Sequence, residues 1–404
     1  MTPLVLKFGG TSVASPERLR QAAAIVAAER ARRPVAVVVS AMAGETDRLL
    51  GLARDLGGEI GEAETDVALA SGEQTSAALT ALALKEAGLA ARSLLAWQLP
   101  IAVEGPPGGA RITGVDPGPL RALIEAGVVP VVAGYQGIAE DGRLATLGRG
   151  GTDLTAAAVA AAIGGDCDIY TDVDGVYTTD PRIAPEARRV ERISHDEMLE
   201  LAAMGAKVLQ SRSVEYAKAR NVALRVRSSF LEPGASEGTT VVAAEGVAER
   251  RVVSGVAYAR DQARLAVMGL PESGEGAAAL FAALAEADVH VDMIVQARAR
   301  AGGVNLEFSV ERRDLDRALA AADALDLAGA EISHETDLAK VSVVGVGLRG
   351  RADIARTLYA VLGGEGIAVR MVATSEIKIS ALVEADLLEK AVRALHAAYK
   401  LEEA

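Results

Sequence analysis

Cysteine and aromatic residues are nearly missing from this chain of 404 residues. Cys167 is its one cysteine, which excludes an internal disulfide and a metal cluster built from several thiolates. Aromatic residues make up 3% of the chain, whereas half of it is apolar, so alanine, valine and leucine must fill the cores. The length is sufficient for two or three domains with cores of their own.

The chain also lacks an excess of basic residues, clustered histidines and long apolar runs. The formal net charge of −13 argues against nucleic acid or an anionic membrane as the main partner, because both require a basic surface. The histidines are scattered without the spacing of metal ligands. The first apolar run ends at Lys7, and the alanine-rich stretch 155–163 is too short to cross a bilayer. We therefore expect a cytoplasmic protein without a signal peptide.

The most informative segment lies near the N-terminus and reads LVLKFGGTSVAS. A short apolar run ends at Lys7, Gly9 and Gly10 follow, and Ser15 and Pro16 suit the N-cap and first turn of a helix. Bare glycines before a helix N-terminus allow backbone N–H groups to approach a phosphate, and the lysine adds a full charge. The segment is not a Walker loop, and an ordinary strand-to-helix turn is the alternative.

The first part of the chain alternates strand-like and helical patterns. Strands are predicted at Val35–Ser40, Val128–Ala133 and Ile169–Asp172, and helices at Gln21–Arg33, Glu73–Ala87 and Thr152–Ile163. This alternation predicts an α/β layer with a mostly parallel sheet that runs to about residue 242. A polar connection follows at Ala244–Arg251.

The C-terminal part repeats itself at a constant offset of 78 residues. Leu280, Leu284 and Met293, for example, match Leu358, Leu362 and Met371. Each copy reads strand, glycine turn, helix, strand, strand, helix, which predicts a ferredoxin-like βαββαβ unit. One small sheet leaves a face uncovered, so two copies indicate a paired module. Chance similarity between two amphipathic helices is the alternative.

Two polar motifs in the first part carry candidate chemistry. SGEQ places Glu73 at the predicted start of a helix, where a carboxylate could also serve only the helix dipole. LGRGGTD is a second glycine-rich turn into a helix, and it contains Arg149 and Asp153. Arg149 could bind a carboxylate through two hydrogen bonds, or it could form a surface ion pair with Asp153.

Two later motifs suit a nucleotide. The segment YTDVDGVYTTDPR follows a buried strand, where α/β sheets bind ligands, and it lacks the closing glutamate of a calcium loop. GAK supplies a second lysine, Lys207, which could instead lie on a solvated helix face. Two glycine turns, two lysines and an arginine together favour phosphoryl transfer. No general base stands out, and an acceptor carboxylate would need none because it is already ionised.

In their order along the chain, KFGGTS, VVSAM, SGEQ, LGRGGTD, YTDVDGVYTTDPR and GAKVLQSRSVEYA resemble the signature set of the aspartate kinase family. The resemblance implies an amino-acid-kinase-type α/β/α sandwich with a mostly parallel sheet, followed by two ferredoxin-like ACT domains. It also implies transfer of the γ-phosphate of ATP to the β-carboxylate of L-aspartate, the first step toward lysine, threonine and methionine. Predicted bounds are 1–243 for the kinase, 252–330 and 335–404 for the ACT domains, with strands that can interleave.

The resemblance assigns roles to individual residues. Lys7 and Lys207 would stabilise the transferring phosphoryl group, and Asp153 would orient Lys7. Aspartate would be held by Thr46, Glu73 and Arg149, and the phosphate path would be lined by Gly9, Gly10 and Ser40. The nucleotide site would be formed by Thr171, Asp172, Asp174, Tyr177 and Arg182. Mg²⁺ would bridge the phosphates and need few protein ligands.

The ACT domains resemble amino-acid sensors whose pockets form between two such domains, which implies a homodimer or a larger assembly. VDMIVQ and TSEIKIS are the marker segments, and the implied effector contacts are Glu272, Gly276, Asp292, Gln296, Ser375 and Glu376. Both copies lack the family's usual Pro-Gly turn, so the expected effector is left as threonine, lysine or both.

Rival hypotheses fit less of the chain. Kinases of N-acetylglutamate, glutamate or UMP should lack both the tandem ACT domains and the SGEQ and LGRGGTD motifs. A regulatory protein with an inactive kinase domain should have lost charged site residues, which are all present here. From the length of 404 residues we expect no fused homoserine dehydrogenase.

Overall fold

The computed structural model describes residues 1–203, 208–244, 252–299, 302–327 and 329–403. These residues form two compact units. The first unit contains residues 1–176 and the described residues between 189 and 244, and the second contains residues 177–188 and the described residues from 252 onward. Of the predicted site residues, Lys207 lies outside the described residues.

Strands and helices alternate through the first unit, as the sequence predicts. In chain order they are β1 Leu4–Phe8, α1 Pro16–Arg30, β2 Val35–Val39, α2 Glu45–Asp55, α3 Ala63–Glu86, β3 Ala91–Leu94, β4 Ile101–Glu104, β5 Arg111–Val115, α4 Gly118–Glu125, β6 Val129–Ala133, β7 Gln136–Ile138, β8 Leu144–Thr146, α5 Gly151–Ile163, β9 Asp166–Thr171, β10 Arg192–Ser194, α6 His195–Ala203, α7 Ser211–Arg220, β11 Leu224–Ser228 and β12 Thr239–Val242.

The main sheet of the first unit is mostly parallel. Its strand order is β10-β12-β11-β9-β1-β2-β6-β3, and only β11 and β12 pair antiparallel. β1, β2, β6, β9 and β11 therefore end at one edge of the sheet. A smaller sheet of order β5-β4-β7-β8 lies beside the helices of this unit.

Small side chains allow helices to pack closely on both faces of the main sheet. On one face, Leu6 and Phe8 of β1 join α1 and α3 in a core that contains many alanines and valines. On the other face lies α5, in which residues 154–160 are all buried. Because side chains alternate along a strand, Lys7 points to the α5 face. The predicted α/β/α layering is thus confirmed.

The second unit repeats one order of elements twice. Its strands and helices are β13 Gly255–Leu270, α8 Glu275–Glu286, β14 Val291–Arg298, β15 Val304–Glu311, α9 Leu315–Asp323, β16 Glu331–Val344, α10 Ala352–Gly364, β17 Met371–Thr374, β18 Lys378–Glu384 and α11 Leu388–Ala398. They form one six-stranded sheet of order β14-β15-β13-β16-β18-β17.

The long strands β13 and β16 each serve two hydrophobic cores. Val256 of β13 packs with α10 and α11, whereas Leu265 of the same strand packs with α8 and α9. Asp261 and Asp337 adopt positive φ angles of 56° and 59° near the middle of β13 and β16. The pairing of the two strands shifts register around Gln262. Each long strand therefore bends between one core and the next.

The element boundaries differ most from prediction at α3. The helix begins at Ala63, so Glu73 lies in its middle and does not act as a helix-start acid, contrary to prediction. A Cβ at Gly72 would lie 3.0 Å from the Cβ of Ala41, so this glycine allows α3 to pack closely there. None of the helices in the described part of the chain combines the length and apolar character needed to cross a membrane.

Candidate active site

The predicted catalytic residues of the first unit gather at the carboxyl edge of its main sheet. Gly9 follows β1, Ser40 follows β2, and Asp172 follows β9. In parallel sheets this edge is where ligands bind, because the strand ends and helix N-termini converge there. The sheet order places β1 between β2 and β9, so these three loops are neighbours.

Lys7 and Asp153 form a nearly buried ion pair. Lys7 Nζ lies 2.6 Å from Asp153 Oδ1, and both side chains are about 10% exposed. Asp153 is in the first turn of α5, which packs against β1. Its carboxylate is thus held by the helix while the lysine is held by the strand. The surface ion pair between Arg149 and Asp153, one of the alternatives from the sequence, is wrong because Asp153 pairs with Lys7.

The glycine loop after β1 packs tightly on the loop after β2. Gly9 N donates to Tyr170 O at 3.2 Å, and Ala43 N donates to Gly10 O at 3.2 Å. A Cβ on Gly10 would lie 2.8 Å from Ala41 O, which is too close for any side chain. Ser40 N donates to Phe8 O at 3.1 Å and so continues the strand pairing. Backbone atoms from both loops therefore line the same edge.

Glu73 has a buried carboxyl oxygen without a hydrogen-bond partner among the described residues. Its side chain is buried, and Oε1 accepts a hydrogen bond of 3.1 Å from Ala41 N. The other oxygen, Oε2, is buried and has no hydrogen-bond partner among the described residues. Burial raises the pKa of Glu73 to about 7. A buried acceptor without a donor is costly in the free protein, and a ligand ammonium would satisfy it.

The turn of LGRGGTD depends on glycines with positive φ. Gly148 and Gly150 have φ angles of 73° and 75°, a region that side chains disfavour. Arg149 between them is exposed and makes no ion pair or hydrogen bond with the rest of the described chain. Thr46 lies half-buried in the first turn of α2. Both side chains remain available to a ligand.

The predicted nucleotide segment is divided between the two units. In the first unit, Thr171 Oγ1 donates to Asp172 at 3.0 Å, and Asp174 accepts from Arg189 at 3.1 Å. Tyr177 and Arg182 belong to the second unit. The structure therefore does not gather all five predicted nucleotide residues within one unit.

The Arg182 guanidinium is hydrogen-bonded to Asp180. It donates to both oxygens of Asp180, which also accepts from the Tyr258 hydroxyl at 2.8 Å. These donors, Arg182 first, hold the pKa of Asp180 down to about 2. The Arg182 side chain itself is 88% exposed.

Sequence reasoning missed a buried hydroxyl network under the glycine loop. Ser12 Oγ and Ser229 Oγ are 2.7 Å apart, and Ser229 Oγ also donates to Thr171 O at 3.2 Å. Arg18 donates to Ser229 O and Oγ at 2.8 and 2.9 Å and lies 3.7 Å from the Phe230 ring centre. Ser12 stands inside the KFGGTS motif, but Ser229 is 217 residues away, and no local pattern connects them.

Tyr135 and Asp66 were also missed. Tyr135 has a φ of 67°, which is unusual for a bulky residue, and it lies between the end of β6 at Ala133 and the start of β7 at Gln136. Burial, with a smaller contribution from the carboxylates of Glu73 and Asp66, raises its pKa. Asp66 is fully buried on α3. Neither residue belongs to a motif, and Asp66 lies before the predicted helix Glu73–Ala87, so the sequence pattern did not mark it.

The predicted effector residues lie in both halves of the second unit. Glu272 pairs with Arg298, and Gly276 opens α8. Asp292 of β14 contacts the buried Lys340 ammonium of β16, and Gln296 is exposed further along β14. In the other half, Ser375 Oγ accepts from Lys378 N at 3.1 Å.

Ser375 and Glu376 line a cleft of about 530 Å³ at the start of α10. Glu376 pairs there with Arg349 at 2.6 Å, and both side chains are exposed. Arg349 and Arg351 occupy the turn that lacks Pro-Gly.

Comparisons with known proteins cover the whole chain. Residues 2–228 match the model of the amino acid kinase family, and residues 341–399 match that of the ACT domain. An aspartokinase of Pseudomonas aeruginosa is 45% identical over 406 residues, which cover 100% of this chain and 98% of that protein.

Two solved structures of Escherichia coli aspartokinase III share the fold. The R-state complex with aspartate and ADP has a TM-score of 0.80 at 27% identity, and it covers 98% of this chain and 99% of that one. The T-state complex with lysine and aspartate has a TM-score of 0.76 at 26% identity, with 98% of each chain covered.

Proposed function

The chain belongs to the aspartokinases of the amino acid kinase family and phosphorylates the β-carboxylate of L-aspartate with ATP, and we propose that the carboxyl edge of the first unit's sheet performs this reaction. The observation that carries the assignment is the buried Oε2 of Glu73, which lacks a donor among the described residues. The α-ammonium of aspartate would supply that donor. Thr46 and Arg149 would complete the aspartate site, with the guanidinium on a carboxylate.

Lys7 would neutralise charge on the transferring phosphoryl group. Its ammonium is fixed by Asp153 at 2.6 Å, so little reorganisation is needed when charge develops. Lys207 would add a second positive charge, and Gly9, Gly10 and Ser40 would leave room for phosphates along their backbone. The acceptor carboxylate is ionised near neutral pH, so positioning and charge neutralisation suffice without a general base.

ATP would lie over the loop after β9, with Thr171, Asp172, Asp174, Tyr177 and Arg182 as its proposed contacts. Among the described residues, no His, Cys, Asp and Glu side chains form a group of three that could hold a metal ion. We therefore assign Mg²⁺ mainly to the phosphate oxygens of ATP, where it would neutralise their charge.

Substrate choice tests the proposal directly. ADP release would be measured with L-aspartate, N-acetylglutamate, glutamate and UMP as alternative acceptors. We expect turnover with aspartate alone. The Arg149→Lys variant keeps the positive charge but cannot donate two parallel hydrogen bonds to a carboxylate. It should therefore raise KM for aspartate and leave KM for ATP unchanged. Equal effects on both constants would contradict the assigned aspartate site.

The second unit would sense an amino acid through tandem ACT domains, with the domain bounds 252–330 and 335–404 given above. A homologous E. coli enzyme has been solved with lysine, and the cleft near Ser375 and Glu376 offers room for a ligand. We propose lysine, threonine or both as effectors of a homodimer or larger assembly. Turnover with each amino acid alone and with both together tests this, and indifference to all of them would contradict it.

A further inference from the structure

The carboxylate of Asp66 is the best-satisfied buried charge near the proposed aspartate site. Its side chain is fully buried in the first turns of α3. Oδ2 accepts from Thr146 N at 2.7 Å and from Gly108 N at 2.9 Å, and Oδ1 accepts from Thr146 Oγ1 at 2.7 Å. No positive side chain pairs with it among the described residues, so its carboxylate is stabilised by these three hydrogen bonds from neutral donors.

The three donors, two backbone N–H groups and the Thr146 hydroxyl, belong to residues that support the LGRGGTD turn. Thr146 is the last residue of β8 and directly precedes that turn. Gly108 lies against the turn from the other side, since a Cβ on Gly148 would be 2.7 Å from Gly108 O. Arg212 of α7 adds a second clamp by donating to Leu147 O at 2.5 Å and to Ala110 O at 2.9 Å. The position of Arg149 is thus fixed through its neighbours.

The same helix that carries Asp66 also carries Glu73. Seven residues are about two turns of α-helix, so the two side chains project from one face. Burial raises the pKa of Tyr135, and the carboxylates of Glu73 and Asp66 each make a smaller contribution in the same direction. Asp66 therefore links the helix of Glu73 to the turn of Arg149 by direct hydrogen bonds.

From this geometry we propose that Asp66 is a positioning residue for aspartate, because it sets the distance between Glu73 and Arg149. The inference rests on the proposed roles of those two residues. An aspartate is needed because all three partners are donors, and only an ionised carboxylate accepts on both oxygens. In Asp66→Asn the negative charge is lost, so the hydrogen bonds from Thr146 N and Gly108 N weaken. The amide nitrogen also replaces the oxygen that accepts from Thr146 Oγ1, so that hydrogen bond must reverse its direction.

The test compares Asp66→Asn with Asp168→Asn. Asp168 is an equally buried carboxylate in the same unit, but it pairs with Arg225 and Arg227 of β11, neither of which is assigned to the aspartate site. For Asp66→Asn we expect KM for aspartate to rise roughly tenfold, with KM for ATP within about twofold of the parent. Asp168→Asn should lose stability without a selective change in KM for aspartate.

Thr146→Val keeps the inference testable if Asp66→Asn folds poorly. It removes only the hydroxyl donor, so KM for aspartate should rise about threefold, in keeping with one lost hydrogen bond. Hydrogen exchange of the 147–152 backbone should also become faster in both variants and stay unchanged in Asp168→Asn.

Different results would contradict the positioning role of Asp66 and the proposed aspartate site of Glu73 and Arg149. Unchanged exchange at 147–152, or a rise in KM for both substrates that matches Asp168→Asn, would overturn the positioning role. If Arg149→Lys and Glu73→Gln leave KM for aspartate unchanged, the proposed aspartate site fails instead. Faster exchange together with a selective rise in KM for aspartate supports the positioning role.

Discussion

At the scale of single residues, strand alternation and helix position decide which charges meet. The motif alone left Lys7 open between a phosphate site and an ordinary strand-to-helix turn, and the other motifs of the first unit favoured the phosphate site. Its partner Asp153 is 146 residues away in sequence, so the ion pair followed from family resemblance, and its 2.6 Å geometry required the structure. Neither a motif nor the family resemblance predicted the contact between Ser12 and Ser229.

Lys7→Ala should abolish most turnover and leave the fold intact. The substitution removes the ammonium proposed for the phosphoryl group, and a loss of roughly 10²–10³-fold is typical of one such group. Turnover and circular dichroism would be measured together. Arg20→Ala is the matched control, because Arg20 forms an exposed pair with Glu86. A folded Lys7→Ala protein with near-normal turnover would exclude the assigned role.

The raised pKa of Glu73 predicts how aspartate affinity depends on pH. Only the ionised carboxylate attracts an ammonium, so KM for aspartate should fall as pH rises toward about 7 and then level off. Glu73→Gln should give a KM that is higher at neutral pH and lacks this dependence. A parent enzyme whose KM is flat between pH 5.5 and 8 (about one and a half units below and one above the pKa) would contradict the assignment.

The free energy of unfolding should also depend on pH through Glu73. The pKa of Glu73 in the folded protein, about 7, lies above the ordinary value of 4.5. Its contribution to stability is therefore present below pH 4.5 and is lost as pH rises through 7. Aspartate should consequently raise Tm more at pH 8 than at pH 6 in the parent enzyme, and equally at both in Glu73→Gln.

At the scale of elements, apolar runs predicted the central strands β2, β6 and β9, whereas the start of α3 was placed ten residues too late, at Glu73. A glycine normally weakens a helix interior, yet α3 continues through Gly72. The structure keeps the helix continuous because α3 must approach Ala41 closely, and such tertiary demands leave no trace in local propensity. Ser15, by contrast, caps α1 as predicted, since its hydroxyl accepts from Arg18 N.

Gly10→Ala should impair catalysis through backbone displacement. The new Cβ would lie 2.8 Å from Ala41 O, so the loops after β1 and β2 must separate. We expect a fall in kcat/KM of roughly tenfold or more, since small misplacements at a reacting centre are costly. Gly51→Ala is the control, because a Cβ in that part of α2 meets open space and should slightly stabilise the helix. Equal activity of both variants would contradict the prediction.

At the scale of the whole molecule, the internal repeat predicted the doubled architecture of the C-terminal part but not how its strands are shared. The matched positions Leu280 and Leu358 occupy equivalent helices in separate cores. The family resemblance allowed strands to interleave, but nothing in the repeat itself indicates that β13 and β16 each run through both cores, because strand pairing over long sequence separation has no local signal. The positive φ angles of Asp261 and Asp337 mark the bends only once the structure is known.

Leu358→Ala should destabilise both halves of the second unit. The side chain is fully buried, and truncation of such a leucine costs about 2–5 kcal/mol of unfolding free energy. Since β13 and β16 are common to both cores, urea denaturation should show earlier loss of structure in α8 as well as in α10. Tyr359→Ala, at a half-exposed neighbouring position, should have a smaller effect. Retention of an intact first half in Leu358→Ala would show that the halves are independent.

The segment 177–188 also limits how this enzyme can be recombined with its relatives. Thr178 O accepts from Val256 N at 2.7 Å, the Thr178 hydroxyl lies 2.9 Å from His396 Nε2, and Ile183 is part of the core with α10 and α11. In a chimaera that exchanged only the C-terminal tail, Thr178 and Ile183 would face a β13, an α10 and an α11 from another protein. Regulatory modules can therefore be transplanted between such enzymes only as two pieces, the tail together with the short insert that sits far upstream of it.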